Sequence, residues 1–268
     1  MKRLYILMVA LVFLGCEDVI ELDLNEVAPR LVIDAAFERD GNTGESNILV
    51  VLTRSTGFYQ ETNPAVVDAQ VTVTDAMGNV YDFTSNELGF YRSNLRFEIE
   101  DGMDYTLRII DGIDEYVATE RLVTTVPLFD VEQALIEGID DDLIKITAYF
   151  NDPPGLGNAY LFSYIDERNL QIDAFDDEFS DGNRSSTIFF LESEEIGTTA
   201  RLRIQGIDQV ALQFYEALIE QTGDSGTGPF ATPPANARGN IINIASPDRF
   251  PFGYFRVSQT YAINYDIQ

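Results

Sequence analysis

The chain has 268 residues, with 45 acids against 17 bases, a formal charge of −28 at pH 7, no histidine and no tryptophan. Nucleic-acid binding needs a basic footprint, which this balance excludes. Without histidine, Ser-His-Asp hydrolysis and histidine metal sites are excluded too, so any catalysis falls to carboxylates, lysine or tyrosine. A hydrophobic content of 45% suits a packed core rather than wholesale disorder.

Lys2 and Arg3 form a short positive stretch, and residues 4–14 are apolar. A spanning helix needs roughly 20 apolar residues, so the run has the layout of a signal peptide. Gly15 follows, then Cys16, the one cysteine of the chain. This start resembles a bacterial lipoprotein signal, in which that cysteine carries the acyl chains. Phe13 and Leu14 depart from the usual residues of that motif, so the match rests on Gly15 and Cys16. The expectation is a signal peptide over 1–15 and an acylated tether over 16–30. Each buried methylene is worth about 0.8 kcal/mol, so two or more chains give a stable anchor. Glu17 and Asp18 directly after the cysteine resemble the export signal that sends Bacteroidota-type lipoproteins to the outer face of the outer membrane.

From residue 31 the chain alternates apolar and polar residues in short runs, at 31–37, 46–53, 68–75, 79–83, 89–93, 104–110 and 115–126. Period-two alternation marks half-buried strands. Turn signals separate them, among them "RDGN" (39–42), "AMGN" (76–79) and "DGID" (111–114). Short strands at this density predict an immunoglobulin-like sandwich over 31–127. Pro127 closes the block, and 128–268 reads as a second β-rich domain with runs at 142–150, 158–165, 170–175, 186–192 and 199–207. One stretch breaks the pattern. In 208–222, Val210, Ala211, Phe214, Ala217 and Leu218 fall at helical spacing, with Asp208 as N-cap and Gly223 as stop. The fold class is therefore all-β with one amphipathic helix. Residues 224–240 form a long Gly- and Pro-rich loop, and such loops are usually functional or mobile. Two further strands close the chain.

Chemical signals are sparse, and no cofactor is expected. The acidic loop "DAFDDEFSDGN" (173–183) has the flavour of a calcium loop, but Phe179 and Ile188 occupy positions where an EF-hand starting at Asp177 needs oxygen ligands. A looser Ca2+ site through Asp176, Asp177 and Asp181 competes with a plain solvated turn. The chain has 18 Phe and 13 Tyr, and Phe230 and Tyr254 beside the Gly/Pro loop are candidate contacts for a glycan or a protein partner.

The order of motifs, "CEDVIELDL", "PRLVIDAAF", "VVDAQVTVTDAMGNVYDF", "FNDPPGLGNAYLF", "DDEFSDG" and "ARGNIINIASPDRFPFGYFRVS", resembles a family of Bacteroidota-type outer-membrane lipoproteins. These carry a large domain of unknown function and are often encoded beside TonB-dependent transporters. The resemblance implies a surface location and a transporter partner, with no catalytic residues to carry over. The expected function is a non-enzymatic, lipid-anchored outer-membrane protein facing the cell exterior, acting as accessory subunit of a TonB-dependent transporter in capture or gating. A free-standing adhesin or glycan binder is the alternative. A carboxylate hydrolase would need two acids several ångströms apart in one cleft, one with a raised pKa.

Overall fold

The computed structural model describes residues 28–57, 60, 62–137, 143–192, 196–222 and 237–268. The alternating runs fold as strands β1 (Leu31–Asp40), β2 (Ser46–Arg54), β3 (Gln70–Asp75), β4 (Val80–Ser85), β5 (Phe90–Ser93), β6 (Asp104–Asp111) and β7 (Asp114–Arg121). The second half supplies β8 (Leu128–Ile136), β9 (Leu143–Asn151), β10 (Ala159–Ile165), β11 (Leu170–Asp176), β12 (Arg184–Glu192) and β13 (Thr199–Ile207). Helix α1 (Gln209–Thr222) follows, then β14 (Ile242–Asn243) and β15 (Phe252–Asp266). The fold is all-β: an immunoglobulin-like sandwich and a second β-rich domain carrying the helix.

Local chemistry accounts for the hairpins. In β3, Val71 and Val73 are buried while Thr72 and Thr74 are half-exposed, as the alternation predicts. The turn into β4 is held by Asp75, whose carboxylate accepts from Met77 N and Asn79 N, both at 2.9 Å. Gly78 in that turn has φ 87°, a left-handed conformation that favours glycine.

Twelve strands join in one sheet of order β11-β10-β13-β15-β1-β2-β5-β4-β3-β6-β7-β14, and β12-β9-β8 form a second. The large sheet curls over a first core centred on Phe37 of β1, which meets the rings of Phe83, Phe97, Tyr105 and Phe255. The segment after β7 returns to β15, with Val123 N donating to Val257 O at 2.9 Å and Gln259 N to Val123 O at 2.8 Å. Strand β15 serves both units. Residues 252–260 pair in parallel with β1, and residues 260–266 pair antiparallel with β13. Ile241, Phe255 and Val257 accordingly pack in the first core although they lie far beyond residue 128. Gly253 has φ 98°, and a Cβ there would collide with Ile33 O, so glycine permits the close approach of β15 to β1.

The second domain has three layers. Strands β10, β11, β13 and β15 bury one face against the small sheet, in a core of Phe150, Tyr160, Phe162, Leu202 and Ile204. The other face lies under α1. Among the described residues no helix is long and apolar enough to cross a membrane.

Candidate functional site

Successive side chains of a strand point to opposite faces. In β10, Tyr160, Phe162 and Tyr164 enter the core shared with the small sheet, which leaves Leu161 and Ser163 on the side of α1. In β13, Leu202 and Ile204 go to the core, while Arg203 and Gln205 face the helix. In β15, Tyr254 and Arg256 do the same. The helix covers this face with Ala211, Leu212, Phe214 and Tyr215. The packed stripe is rotated from the one the spacing suggests: Val210 is 56% exposed, because Leu212 and Tyr215, on the other flank of Ala211 and Phe214, fit the sheet instead.

Between helix and sheet lies a cavity of about 310 Å³. Its walls are mostly apolar, with Leu161, Ile172, Phe214 and Leu218 among them. Its floor carries a polar strip. Arg203 pairs with Glu38 at 2.7 Å, and Arg256 pairs with Asp34 at 3.1 Å and Glu38 at 3.4 Å. Arg256 Nη1 also donates to the Tyr215 hydroxyl at 3.1 Å. Burial works against the Arg256 charge, but Tyr215, Asp34 and Glu38 outweigh it and hold the guanidinium firmly protonated. Burial raises the Tyr215 pKa and keeps the phenol neutral.

Among the described residues, four polar atoms of these side chains are buried behind the cavity wall and have no hydrogen-bond partner: Ser163 Oγ, Gln205 Oε1, Arg203 Nε and Arg256 Nε. Ser163 is 4% exposed and Gln205 2%. An unsatisfied buried polar group costs about 1–3 kcal/mol, so four so close together are expensive for a purely structural contact.

The N-terminal end of α1 holds a second cluster. Asp208 is the N-cap, its carboxylate accepting from Ala211 N at 2.7 Å and from the Tyr254 hydroxyl at 3.3 Å. Glu120 of β7 lies within hydrogen-bonding reach of Asp208; burial pushes its pKa up to about 7, against the bond it accepts from Asn240. Asn240 Nδ2 donates to Glu120 at 2.6 Å and to Phe255 O at 2.8 Å. Through Asn240 and Asp208, Glu120 links the helix cap to the first sandwich.

The acidic loop gathers differently from the sequence expectation. Asp177 and Asp181 meet Asp152, with one oxygen of each within 4.8 Å of the others. Asp176 is not in the group and accepts instead from Glu178 N at 3.1 Å. The three acids clamp two loops. Asp177 accepts from Gly157 N at 2.9 Å and Asn158 N at 3.0 Å, Asp181 from Gly155 N at 2.6 Å, and Asp152 from Gly182 N at 3.0 Å and the Tyr160 hydroxyl. Burial raises the Asp177 pKa, yet the bonds from Gly157 and Asn158 outweigh it and the net shift is downward. These oxygens already have donors from the chain, which suits a loop clamp better than a cation cage.

Tyr254 is 3% exposed. Its ring packs on Phe214 and Tyr215, so it lines the cavity from inside and does not stack on an external glycan. Cys16, Glu17, Asp18 and Phe230 lie outside the described residues. Sequence reasoning missed Ser163, Arg203, Gln205, Arg256, Glu120 and Asp208 as a site. One signal was available: polar residues on one parity of strands whose opposite parity is wholly apolar.

Among solved structures, a cytokine receptor complex matches at 11% identity and TM-score 0.24, over 68% of this chain and 85% of that one. A two-domain fibronectin type-III segment from chicken tenascin matches at 13% and 0.20, over 67% and 91%. The chicken interferon gamma receptor alpha chain matches at 11% and 0.19, over 68% and 91%. No curated protein matches. The family model described as "Domain of unknown function (DUF4249)" matches residues 17–263, nearly the whole chain, and the protein belongs to that family.

Proposed function

We propose that this protein is a non-enzymatic, lipid-anchored binding protein on the outer face of the outer membrane, acting as the capture subunit of a TonB-dependent transporter. Capture is supported by one observation above all, the mostly apolar cavity of about 310 Å³ between α1 and the sheet. Preformed apolar cavities with a few convergent polar groups are the usual form of small-molecule sites. Anchoring is supported by Gly15 and Cys16 after the apolar run, and surface display by Glu17 and Asp18. The transporter partner is supported by the resemblance of the motif order to lipoproteins encoded beside such barrels. A binding role fits the acid geometry as well. Glu120, whose pKa is raised, lies within hydrogen-bonding reach of Asp208, closer than the roughly 5 Å or more of glycoside hydrolases, and Asp208 is engaged as a helix cap.

The test is purification of the tagged, full-length protein from its native outer membrane in mild detergent. A stoichiometric barrel protein in the eluate is the expected result, and Cys16→Ala is expected to abolish membrane retention and the association with it. A protein that elutes alone removes the transporter role and leaves a free-standing surface binder.

A further inference from the structure

One end of the first sandwich carries charge opposite in sign to that of the whole protein. Strand pairing brings the start of β1, the start of β15 and the end of β2 together there, with Val32 opposite Phe252 and Leu31 opposite Arg54. Arg54 pairs with Asp111 at the β6–β7 turn, so that turn lies at the same end. Arg30, directly before β1, sits over the ring of Phe250 at 4.2 Å and 5.3 Å from that of Phe252, and Arg238 sits over Phe250 at 4.9 Å. Among the described residues neither arginine has a carboxylate partner, whereas Arg54 has Asp111 and Arg249 has Asp114. Asp248, exposed two residues before Phe250, offsets one of the two charges. A guanidinium stacked on an aromatic face is weakly hydrated and keeps its edge donors free, and that planar fork matches a phosphate.

The same end exposes apolar side chains. Ile113 at the tip of the β6–β7 turn is 83% exposed, and Phe252 and Ile244 are exposed too, Ile244 beside the turn through its N–H bond to Glu115 O. Cationic groups among apolar ones are the make-up of a surface that lies on a bilayer, where buried apolar area and attraction to anionic lipid add. Cys16 lies fourteen positions before Arg30, about 50 Å of chain at full extension, and the tether joins the domain at Arg30 itself. The register from β1 through β2 and β5 to β4 sets the β3–β4 turn, with exposed Met77, at the opposite end. With a formal charge of −28, the chain as a whole is repelled by an anionic leaflet, so such a leaflet accepts this end and turns the others away.

We infer that this end of the first sandwich docks on an anionic phospholipid surface, with Arg30 and Arg238 on headgroup phosphates and Phe250, Phe252, Ile113 and Ile244 against the interface. The inference goes beyond the capture reading and shares with it only the lipid anchor. The tether limits the distance of the domain from the membrane, and the patch sets its orientation.

The experiment uses the full-length lipoprotein in nanodiscs. The chain has no tryptophan, so Phe252→Trp, Ile113→Trp and Met77→Trp each place a single reporter, two on the patch and one at the opposite end. Quenching by brominated lipids is read in phosphatidylcholine discs with and without phosphatidylglycerol. With phosphatidylglycerol, the patch reporters are expected to be quenched at least roughly threefold more than Met77→Trp, since basic residues are drawn to an anionic leaflet. That contrast is expected to shrink without phosphatidylglycerol, in Arg30→Gln combined with Arg238→Gln, and at about 1 M salt, where the screening length is about 3 Å. Both arginines lie outside the strands, so the double variant is expected to keep a native circular dichroism spectrum. If reporters at both ends are quenched alike, or none is, the domain has no preferred face and the inference falls. If patch quenching ignores lipid charge, salt and the arginine changes, docking on phosphates is overturned. A blue shift of the patch reporters in detergent alone that grows with protein concentration assigns the patch to a second copy of this chain and overturns the membrane as its occupant. A protein that elutes apart from the discs lacks the anchor, which overturns the anchored reading and this inference with it. One that stays with the discs but shows no contrast overturns this inference alone.

Discussion

The large sheet of the second domain has two covered faces built from the same strands, and they differ in kind. Toward the small sheet, β10 and β13 present Tyr160, Phe162, Tyr164, Leu202 and Ile204. Toward α1, the residues between them are Leu161, Ser163, Arg203 and Gln205. One face is a dry core in which the buried tyrosine hydroxyls find acids, Tyr160 with Asp152 and Tyr164 with Asp166. The other is a polar strip that four unpartnered atoms leave incomplete. Both are out of solvent, so burial alone does not explain the difference. A face selected only for stability fills its volume and satisfies its polar groups. The α1 face departs from both further than the small-sheet side, where Thr187 Oγ1 is the unpartnered atom among the described residues, and the proposed binding role would account for that departure.

The sharpest way to break this contrast is to damage each face and compare. On the dry face, Phe162 is fully buried and its ring lies 4.7 Å from that of Phe175. Phe162→Ala is expected to cost about 3–5 kcal/mol in chemical denaturation. If it costs as little as a surface change, the dry face is not the organising core.

At the N-terminal end of the α1 face, pH is the lever. Burial raises the Glu120 pKa in the folded protein to about 7 from the ordinary glutamate value of 4.5, so the folded state binds this proton more tightly than the unfolded one. That stabilisation is fully present below the unfolded value and is lost as pH rises through about 7. At 1.36 kcal/mol per unit it amounts to at most about 3 kcal/mol. Glu120→Gln should flatten that slope, measured as urea midpoint against pH between pH 5 and about 8. An unchanged slope would mean that Glu120 does not hold the cap of the helix.

The acidic loops belong structurally to the dry side, since Asp152 takes its bond from Tyr160. Asp177→Asn should cost about 2 kcal/mol through weakened bonds to Gly157 and Asn158. The Asp177 pKa is lowered in the fold, so its contribution is present above the unfolded value and disappears as pH falls through the folded one. Added Ca2+ should leave the wild-type thermal midpoint unmoved, because Asp152, Asp177 and Asp181 are engaged as clamps. A rise in midpoint on titrating Ca2+, lost in Asp177→Asn, would restore the calcium-loop reading.

The smallest effect carries the opposite sign. Ser163→Ala removes a buried hydroxyl with no partner, so the change should be neutral or stabilising by up to about 1 kcal/mol in denaturation. A clear loss would show that the hydroxyl has a structural duty, and the two faces would then differ less than proposed.

Much of the fold was legible early. Alternation located β1 to β7 and β9 to β13 to within two residues except where β1 and β7 end, because period-two burial writes itself directly into apolar and polar letters; it missed β8. Asp208 was legible as an N-cap because capping is a local bond. The candidate site was not legible. Ser163, Arg203 and Arg256 look like solvent-facing members of their strands, and the helix packed over that face leaves Ser163 buried and the two arginines half-buried. Likewise Asp152 lies more than twenty residues before Asp177, and the loop pairing that joins them is a tertiary event.

The sequence by itself determined most of the strands, the helix α1 and the acidic composition, since each depends on neighbours a few residues apart or on composition. The tertiary structure alone decided three further things. It chose which side of α1 is packed, which turned Val210 out and Tyr215 in. It passed β15 from the first core to the second. It set Glu38 and Asp34 of β1 against Arg203 and Arg256 from the far end of the chain. Such contacts follow from which sheet faces a helix covers, and chain order does not encode that.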